Sequence, residues 1–69
     1  MEENVENQIL EFIQNRYKKE EATASRHIHI RFDIDILEAE KILDSLSQKN
    51  EITKYYDEDY QENRYRPNL

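Results

Sequence analysis

The stretch ATASRHIHIRFDID, residues 22–35, decides the fold because its sequence allows two interpretations. Apolar and polar residues alternate strictly over residues 28–36, and this period of two predicts a half-buried strand. Alternatively, a hydroxyl side chain near its start caps a short helix, in which Ile28 and Phe32 share one face. Local alternation alone favours the strand, so the flanking sequence has to decide between the two.

Two longer helices are predicted on either side of this stretch. The first covers about residues 4–19, where apolar residues recur every four positions at Val5, Ile9, Ile13 and Tyr17. The other covers about residues 36–49, with an apolar stripe at Ala39, Ile42, Leu43 and Leu46. Asp35 and Glu38 are spaced as a capping-box pair at its start. Asn50 is the expected stop, because Asn tolerates the left-handed conformation and the chain has no Gly.

The last part of the chain predicts a β-hairpin. Residues 52–56 and 63–66 are rich in β-formers, and the polar residues 57–62 connect them. Pro67 ends the second strand because it cannot donate to the ladder. Residues 67–69 are expected to form a loose tail.

Tyrosine is concentrated in this hairpin, which holds four of the five tyrosines of the chain. Tyr combines an apolar ring with a polar tip and is enriched at interfaces. We expect Tyr65 and one of Tyr55 and Tyr56 to be buried, and Tyr60 to be exposed.

Length and composition exclude several classes of protein. A chain of 69 residues is expected to form one small domain. Without Cys or Gly it has neither disulfides nor thiolate zinc sites, and it lacks the Gly-rich loops that bind phosphates. It has no apolar run of the roughly 20 residues that a membrane span needs. Its first residues do not resemble a signal peptide, so we expect a cytoplasmic protein without membrane contact.

Candidate catalytic and metal-binding residues are few. On a helix, His27 and His29 diverge by roughly 200°, and a zinc site needs three or four converging ligands. The carboxylate pairs at positions 33/35 and 57/59 fall in predicted turns rather than in a shielded pocket. We therefore expect no metal, no cofactor and no enzymatic activity.

Taken together, three segments of the chain resemble a winged helix-turn-helix domain. They are NQILEFIQ (7–14), ATASRHIHIRFDID (22–35) and ILEAEKILDSLSQKNEI (36–52). The resemblance implies an α+β fold with three helices followed by a C-terminal two-stranded hairpin, the wing. It also implies a helix over residues 24–32 and a single domain over residues 1–66. A βαβ-like or other α+β fold is the alternative, because His29 and Asn50 stand where this superfamily usually has Ala and Gly.

The resemblance also implies which residues would meet a ligand. In this superfamily the third helix enters the major groove of DNA. The corresponding positions here are Ile36, Leu37, Glu40, Lys41 and Asp44. They include two anions and two large apolar residues, and no segment of the chain has a net positive charge, the total being -6. Duplex DNA binding depends largely on basic side chains that neutralise phosphates.

We therefore expect an accessory or adaptor protein that docks on a larger nucleic-acid-processing protein, such as a polymerase, primase, helicase or transcription complex. The expected protein-interface residues are Ile36, Leu37, Glu40, Asp44 and Tyr60. The alternative is a free-standing, dimeric DNA-binding regulator, and a third hypothesis is an acidic mimic of nucleic acid. The residues available for weak nucleic-acid contact are Arg26, Arg31, Lys41, Lys54, Arg64 and Arg66.

Overall fold

The computed structural model describes residues 4–68, which form three helices followed by a two-stranded antiparallel sheet. The elements are α1 (Val5–Tyr17), α2 (Ser25–Phe32), α3 (Ile36–Gln48), β1 (Ile52–Asp57) and β2 (Glu62–Pro67). The predicted α+β class and the order of its elements are confirmed, and the layout is consistent with a winged helix. The strand interpretation of residues 28–36 is wrong, since most of this range lies in α2 and the start of α3.

The segment 28–36 is helical because its alternate apolar residues do not share one buried surface. Ile28 is buried in the core, and Phe32, one helical turn later, packs against it. Ile30 lies between them and is 75% exposed. The helical period therefore accounts for the burial, and the alternation in the sequence does not.

The core lies between the three helices and the base of the hairpin. Ile9 and Ile13 of α1 meet Ile28 of α2, and Phe12 and Phe32 pack edge to face with ring centroids 5.7 Å apart. The other buried members are Ala39, Leu43, Leu46, Ile52 and Tyr65. None of the helices within residues 4–68 is long and apolar enough to cross a bilayer.

Within residues 4–68, four residues adopt the left-handed conformation, all in the connections that follow or precede elements. Asn50 does so with φ 62°, which confirms its predicted role as the stop of α3. Glu20, Asp33 and Gln61 have φ values of 62°, 55° and 53°. A residue with a Cβ is strained there by roughly 1–2 kcal/mol, although Asn and Asp tolerate the conformation better.

The start of α3 differs from its prediction in one detail. Asp35 occupies the N-cap position, but its side chain accepts no capping hydrogen bond. The predicted capping box with Glu38 is therefore not formed. By contrast, the Asn4 side chain does cap α1, accepting a hydrogen bond of 2.8 Å from the Glu6 amide.

A two-way backbone contact joins the loop before α2 to the hairpin. The Thr23 amide donates to the Tyr65 carbonyl at 3.0 Å, and the Tyr65 amide donates to the Thr23 carbonyl at 2.7 Å. Thr23 thus adds a one-residue third strand beside β2. The sequence did not predict this bridge, because 42 residues separate its partners and a single residue has no periodicity.

The end of the chain packs beside the sheet and the end of α3. Pro67 is the last residue of β2, is buried and faces Ile52 across the sheet. The Asn68 amide donates to the Glu51 carbonyl at 3.1 Å, and its side chain bonds to Asn50 and Thr53. The loose tail expected for residues 67–69 stays a prediction, and Leu69 and residues 1–3 lie outside the described residues.

The tyrosines of the hairpin only partly follow their predictions. Tyr65 is buried and Tyr60 is exposed, as expected. Both Tyr55 and Tyr56 are exposed, so the expectation that one of them is buried was wrong. The reason is that Ile52 and Tyr65 already fill the space between the hairpin and the helices.

The Thr23 side chain generates a prediction on stability. Its hydroxyl is fully buried and has no hydrogen-bond partner, which costs about 1–3 kcal/mol for a buried polar group. We expect Thr23→Val to raise the free energy of unfolding by about 1 kcal/mol, because Val keeps the shape and the backbone bridge. Urea unfolding measures this change.

The matched control is Thr53→Val. The Thr53 hydroxyl donates to the Asn68 side chain, so its removal should lower the free energy of unfolding by about 0.5–1.5 kcal/mol. A lower unfolding midpoint for Thr23→Val would contradict the prediction and show that its hydroxyl is satisfied.

Candidate interaction surface

The outer side of α3 presents apolar and acidic side chains together. Leu37 is 67% exposed and Ile36 is 40% exposed, although α3 buries Ala39, Leu43 and Leu46 on its inner side. Glu40 is exposed and Asp44 is half-buried on the same helix. Leu37, Glu40 and Asp44 are spaced by three and four residues, which places them on one side of the helix. We call Ile36, Leu37, Glu40 and Asp44 the α3 face.

The fifth expected interface residue, Tyr60, lies elsewhere. It stands in the turn of the hairpin, and the Arg64 guanidinium lies 4.3 Å from the centre of its ring. Arg64 and Tyr65 are neighbours on β2, so their side chains point to opposite faces of the sheet. Tyr65 is the one that contacts α3, through Asp44. We therefore leave Tyr60 out of the α3 face.

Three of the six candidate nucleic-acid contacts are held in ion pairs with the protein's own carboxylates. Arg26 makes a bidentate contact with Glu62, at 2.9 and 3.2 Å. This hydrogen bonding raises the pKa of Arg26 and lowers that of Glu62. Lys54 lies 3.5 Å from Asp44. Both cations are thus balanced locally before any ligand approaches.

Arg64 is the most buried of the six. Its side chain is only 11% exposed and lies 3.4 Å from Glu62 and 3.7 Å from Asp57. It also donates to the Ala22 carbonyl at 3.3 Å. These contacts connect the hairpin to the loop before α2, so Arg64 has a structural role. Arg31, Lys41 and Arg66 are exposed and form no ion pair within the described residues.

An open groove runs between the start of α2, α3 and the hairpin. Its walls include Glu40, Tyr56, Tyr65 and the ion pair of Arg26 and Glu62. Burial first, and then Asp44 and Glu40, raise the pKa of Tyr65 to about 12. Tyr65 is therefore neutral near pH 7, and its hydroxyl donates to Asp44 at 3.5 Å. The groove is polar and acidic, which favours a cationic or hydrogen-bonding occupant over a phosphate.

A second groove lies on the other side of the hairpin and was missed in the sequence. Tyr17, at the end of α1, lines it with Tyr55 and Arg66, and Pro67 continues its wall. Tyr17 had been assigned to the apolar stripe of α1, and nothing in its spacing indicates that its ring reaches the hairpin. The register of β1 and β2 places Tyr55 near Arg66, and the packing of α1 against β2 brings Tyr17 beside them.

The two histidines have separate structural contacts. His27 Nδ1 accepts a hydrogen bond from the Ala24 amide at 2.9 Å, which caps the start of α2. His29 Nδ1 lies 2.6 Å from the Ile34 carbonyl, in the turn before α3. Within residues 4–68, no three potential metal ligands come together. The capping role of His27 could have been suspected, because it stands three residues after Ala24, where a side chain can reach back to the cap.

The environment of His27 predicts a pH dependence of stability. Burial first, and then the guanidinium groups of Arg16, Arg26 and Arg64, lower the pKa of His27 from 6.5 to about 4. Between these two pH values the unfolded chain binds a proton that the folded chain excludes. The free energy of unfolding should therefore fall as the pH is lowered from 6.5 to about 4, and be recovered above 6.5.

Thermal unfolding of His27→Gln between these pH values tests this explanation. Gln can still accept the amide hydrogen bond but does not titrate, so its unfolding should depend less on pH. The wild-type protein, measured in parallel, gives the profile against which the variant is compared. An unchanged profile in His27→Gln would assign the pH dependence to other groups.

No protein-family model, curated protein or solved structure matches this chain. The arrangement of its own side chains is therefore the basis for a functional assignment. That arrangement combines an exposed apolar and acidic side of α3 with three candidate cations, Arg26, Lys54 and Arg64, that are already paired with carboxylates.

Proposed function

We propose that this chain is a winged-helix accessory or adaptor protein that docks on a larger protein of a nucleic-acid-processing complex through the α3 face. It needs no cofactor and catalyses no reaction in this role. The observation that carries the proposal is the exposure of Leu37 and Ile36 beside Glu40 and Asp44. A partner that covers Leu37 would gain about 1.5–3 kcal/mol from burying a side chain of this kind.

The charges of the hairpin support a protein partner over DNA. A winged helix that binds duplex DNA needs basic side chains free to neutralise phosphates. Here Arg26, Lys54 and Arg64 already contact carboxylates. The α3 face would also place two carboxylates toward the phosphates, which costs electrostatic energy. A protein surface with an apolar pocket rimmed by Lys or Arg fits the α3 face better.

A DNA-binding regulator is the second candidate. Arg31, Lys41 and Arg66 are exposed without a carboxylate partner in the described part of the chain, and all three could contact a nucleic-acid backbone. They lie on α2, α3 and β2, so they belong to three different elements. Three phosphate contacts would give weak binding at physiological salt.

The first test changes the α3 face. Leu37→Asp should leave the unfolding midpoint near that of the wild type, because the side chain is two-thirds exposed, and should abolish capture of the partner from the native host. Tagged wild-type and variant proteins are compared by affinity capture and mass spectrometry. The matched control is Ile30→Asp, which adds the same charge at an exposed Ile on α2 and should keep the partner.

Two outcomes would contradict the proposal. Capture of the same partner by Leu37→Asp would place the docking surface elsewhere. Loss of the partner in both variants would mean that any added charge, rather than the α3 face, decides capture.

The second test measures duplex DNA binding by the purified protein. The net charge of -6 and the acidic α3 face predict dissociation constants no tighter than about 10⁻⁴–10⁻⁶ M at physiological salt, the non-specific range. Fluorescence anisotropy with duplexes of varied sequence measures this. Tighter, sequence-dependent binding that weakens steeply with salt and is lost in Lys41→Glu would favour the regulator.

A further inference from the structure

The outer edge of β1 has backbone groups available for pairing. Tyr65 directs its amide and carbonyl away from β1, toward Thr23. Lys54 lies directly opposite Tyr65, so its amide and carbonyl also point out of the sheet, away from β2. By the same alternation, Ile52 and Tyr56 present their backbone groups at this outer edge. Pro67, opposite Ile52, has its nitrogen at an outward position, where no hydrogen is needed.

This outer side of β1 is uncovered in the described part of the chain. The sheet contains only β1 and β2, and the one extra bridge, at Thr23, lies on the far side of β2. The side chains of Tyr55 and Tyr56 are exposed, by 37% and 59%. We call the segment Ile52–Asp57, with its outward backbone groups, the β1 edge. Such an edge is a template for another strand unless it is short, bulged or highly charged.

We propose that the β1 edge pairs antiparallel with the β1 edge of a second copy of this chain, with Tyr55 at the twofold axis. A twofold interface must be self-complementary, and this register satisfies that condition. Tyr55 faces Tyr55 of the second copy, an aromatic pair that adds to its burial. Lys54 faces Tyr56 of the second copy, an ammonium beside an aromatic ring. Thr53 faces Asp57 of the second copy, a pair that brings no like charges together.

The backbone is compatible with the same register. Lys54 and Tyr56 are the residues with outward amides and carbonyls, and they lie directly opposite one another in the pair. Each Lys54–Tyr56 pair therefore exchanges two hydrogen bonds. The two sheets become one, continuous from Thr23 of one copy to Thr23 of the other.

Two neighbouring registers keep the outward backbone groups paired, and both are less favourable. With Tyr56 at the axis, Lys54 faces Glu58, which lies in the turn beyond the end of β1, so fewer strand residues pair. With Lys54 at the axis, two ammonium groups lie directly opposite each other, which destabilises a strand pair. Asp44 lies 3.5 Å from Lys54 but is half-exposed, so it offsets this repulsion only in part. The pairing centred on Tyr55 contains no like-charged pair.

The size of the contact sets its strength. Stable dimers bury about 1,200–2,000 Å², more than one short strand pair provides. The dimer is therefore expected to be concentration-dependent. The α3 face and the β1 edge consist of different residues and adjoin at the Asp44–Lys54 ion pair, so dimerisation would present two α3 faces in one particle. The inference stands whether the partner of the α3 face is protein or nucleic acid.

The test is a charge exchange at the axis, read by sedimentation of the full chain between about 1 µM and 1 mM. Wild type should pass from monomer to dimer in this range. Tyr55→Arg and Tyr55→Glu should each dimerise about tenfold or more weakly, because like charges then face each other at the axis. An equimolar mixture of the two should dimerise again, since Arg then faces Glu.

A second pair of variants removes backbone donors and does not depend on charge. Tyr56→Pro deletes an outward amide of the β1 edge and should abolish dimerisation without removing a hydrogen bond of the hairpin. Asn63→Pro is the matched control, because Asn63 lies opposite Tyr56 and its amide points to the other side of the sheet. Circular dichroism confirms that each variant is folded.

Three outcomes would overturn the inference. If the wild type stays monomeric up to 1 mM, the β1 edge does not pair with a second copy. The edge would then be available to a strand of another protein. Dimerisation of Tyr56→Pro at wild-type strength would place the dimer contact elsewhere. Failure of the mixed charge variants to dimerise would exclude the register centred on Tyr55.

Discussion

The reciprocal backbone contact between Thr23 and Tyr65 is the constraint on which the rest of the structure depends. It fixes the loop before α2 against β2, so the hairpin packs on the helices instead of extending from them. Tyr65 then occupies the core and reaches Asp44 of α3. The same contact determines which backbone groups of β1 point outward. The outward backbone groups of the β1 edge follow from this junction together with the register of β1 and β2.

Sequence patterns predicted the elements well and their mutual contacts poorly. The four-residue spacing that includes Ile9 and Ile13 predicted α1, and the absence of Gly made Asn50 the natural stop of α3. The helix at residues 24–32 came from the resemblance to winged-helix domains, against a local alternation that favours a strand. The bridge at Thr23 and the contact of Tyr17 with the hairpin could not be predicted, because each depends on residues distant in the sequence.

The candidate site shows the same division. The exposure of Leu37 followed from the helical period and agrees with the structure. The carboxylate partners of the basic residues did not follow from the sequence. A count of charges says nothing about which carboxylate a guanidinium reaches. Arg64 looked like a wing cation in the sequence, yet it is buried against Asp57 and Glu62. The net charge of -6 counts these paired cations as if they were free, so less cationic surface is accessible than the charge alone suggests.

The four left-handed residues have a consequence for how this fold could be made more stable. A chain without Gly has a less disordered unfolded ensemble, so it loses less backbone entropy when it folds. The corresponding cost appears in the native state, as strain at Glu20 and Gln61, which lack the short polar side chain that lets Asn and Asp tolerate this conformation. Core residues such as Leu43 are already fully buried. Substitutions in the connections between elements, rather than in the core, are therefore where this fold can gain thermal stability.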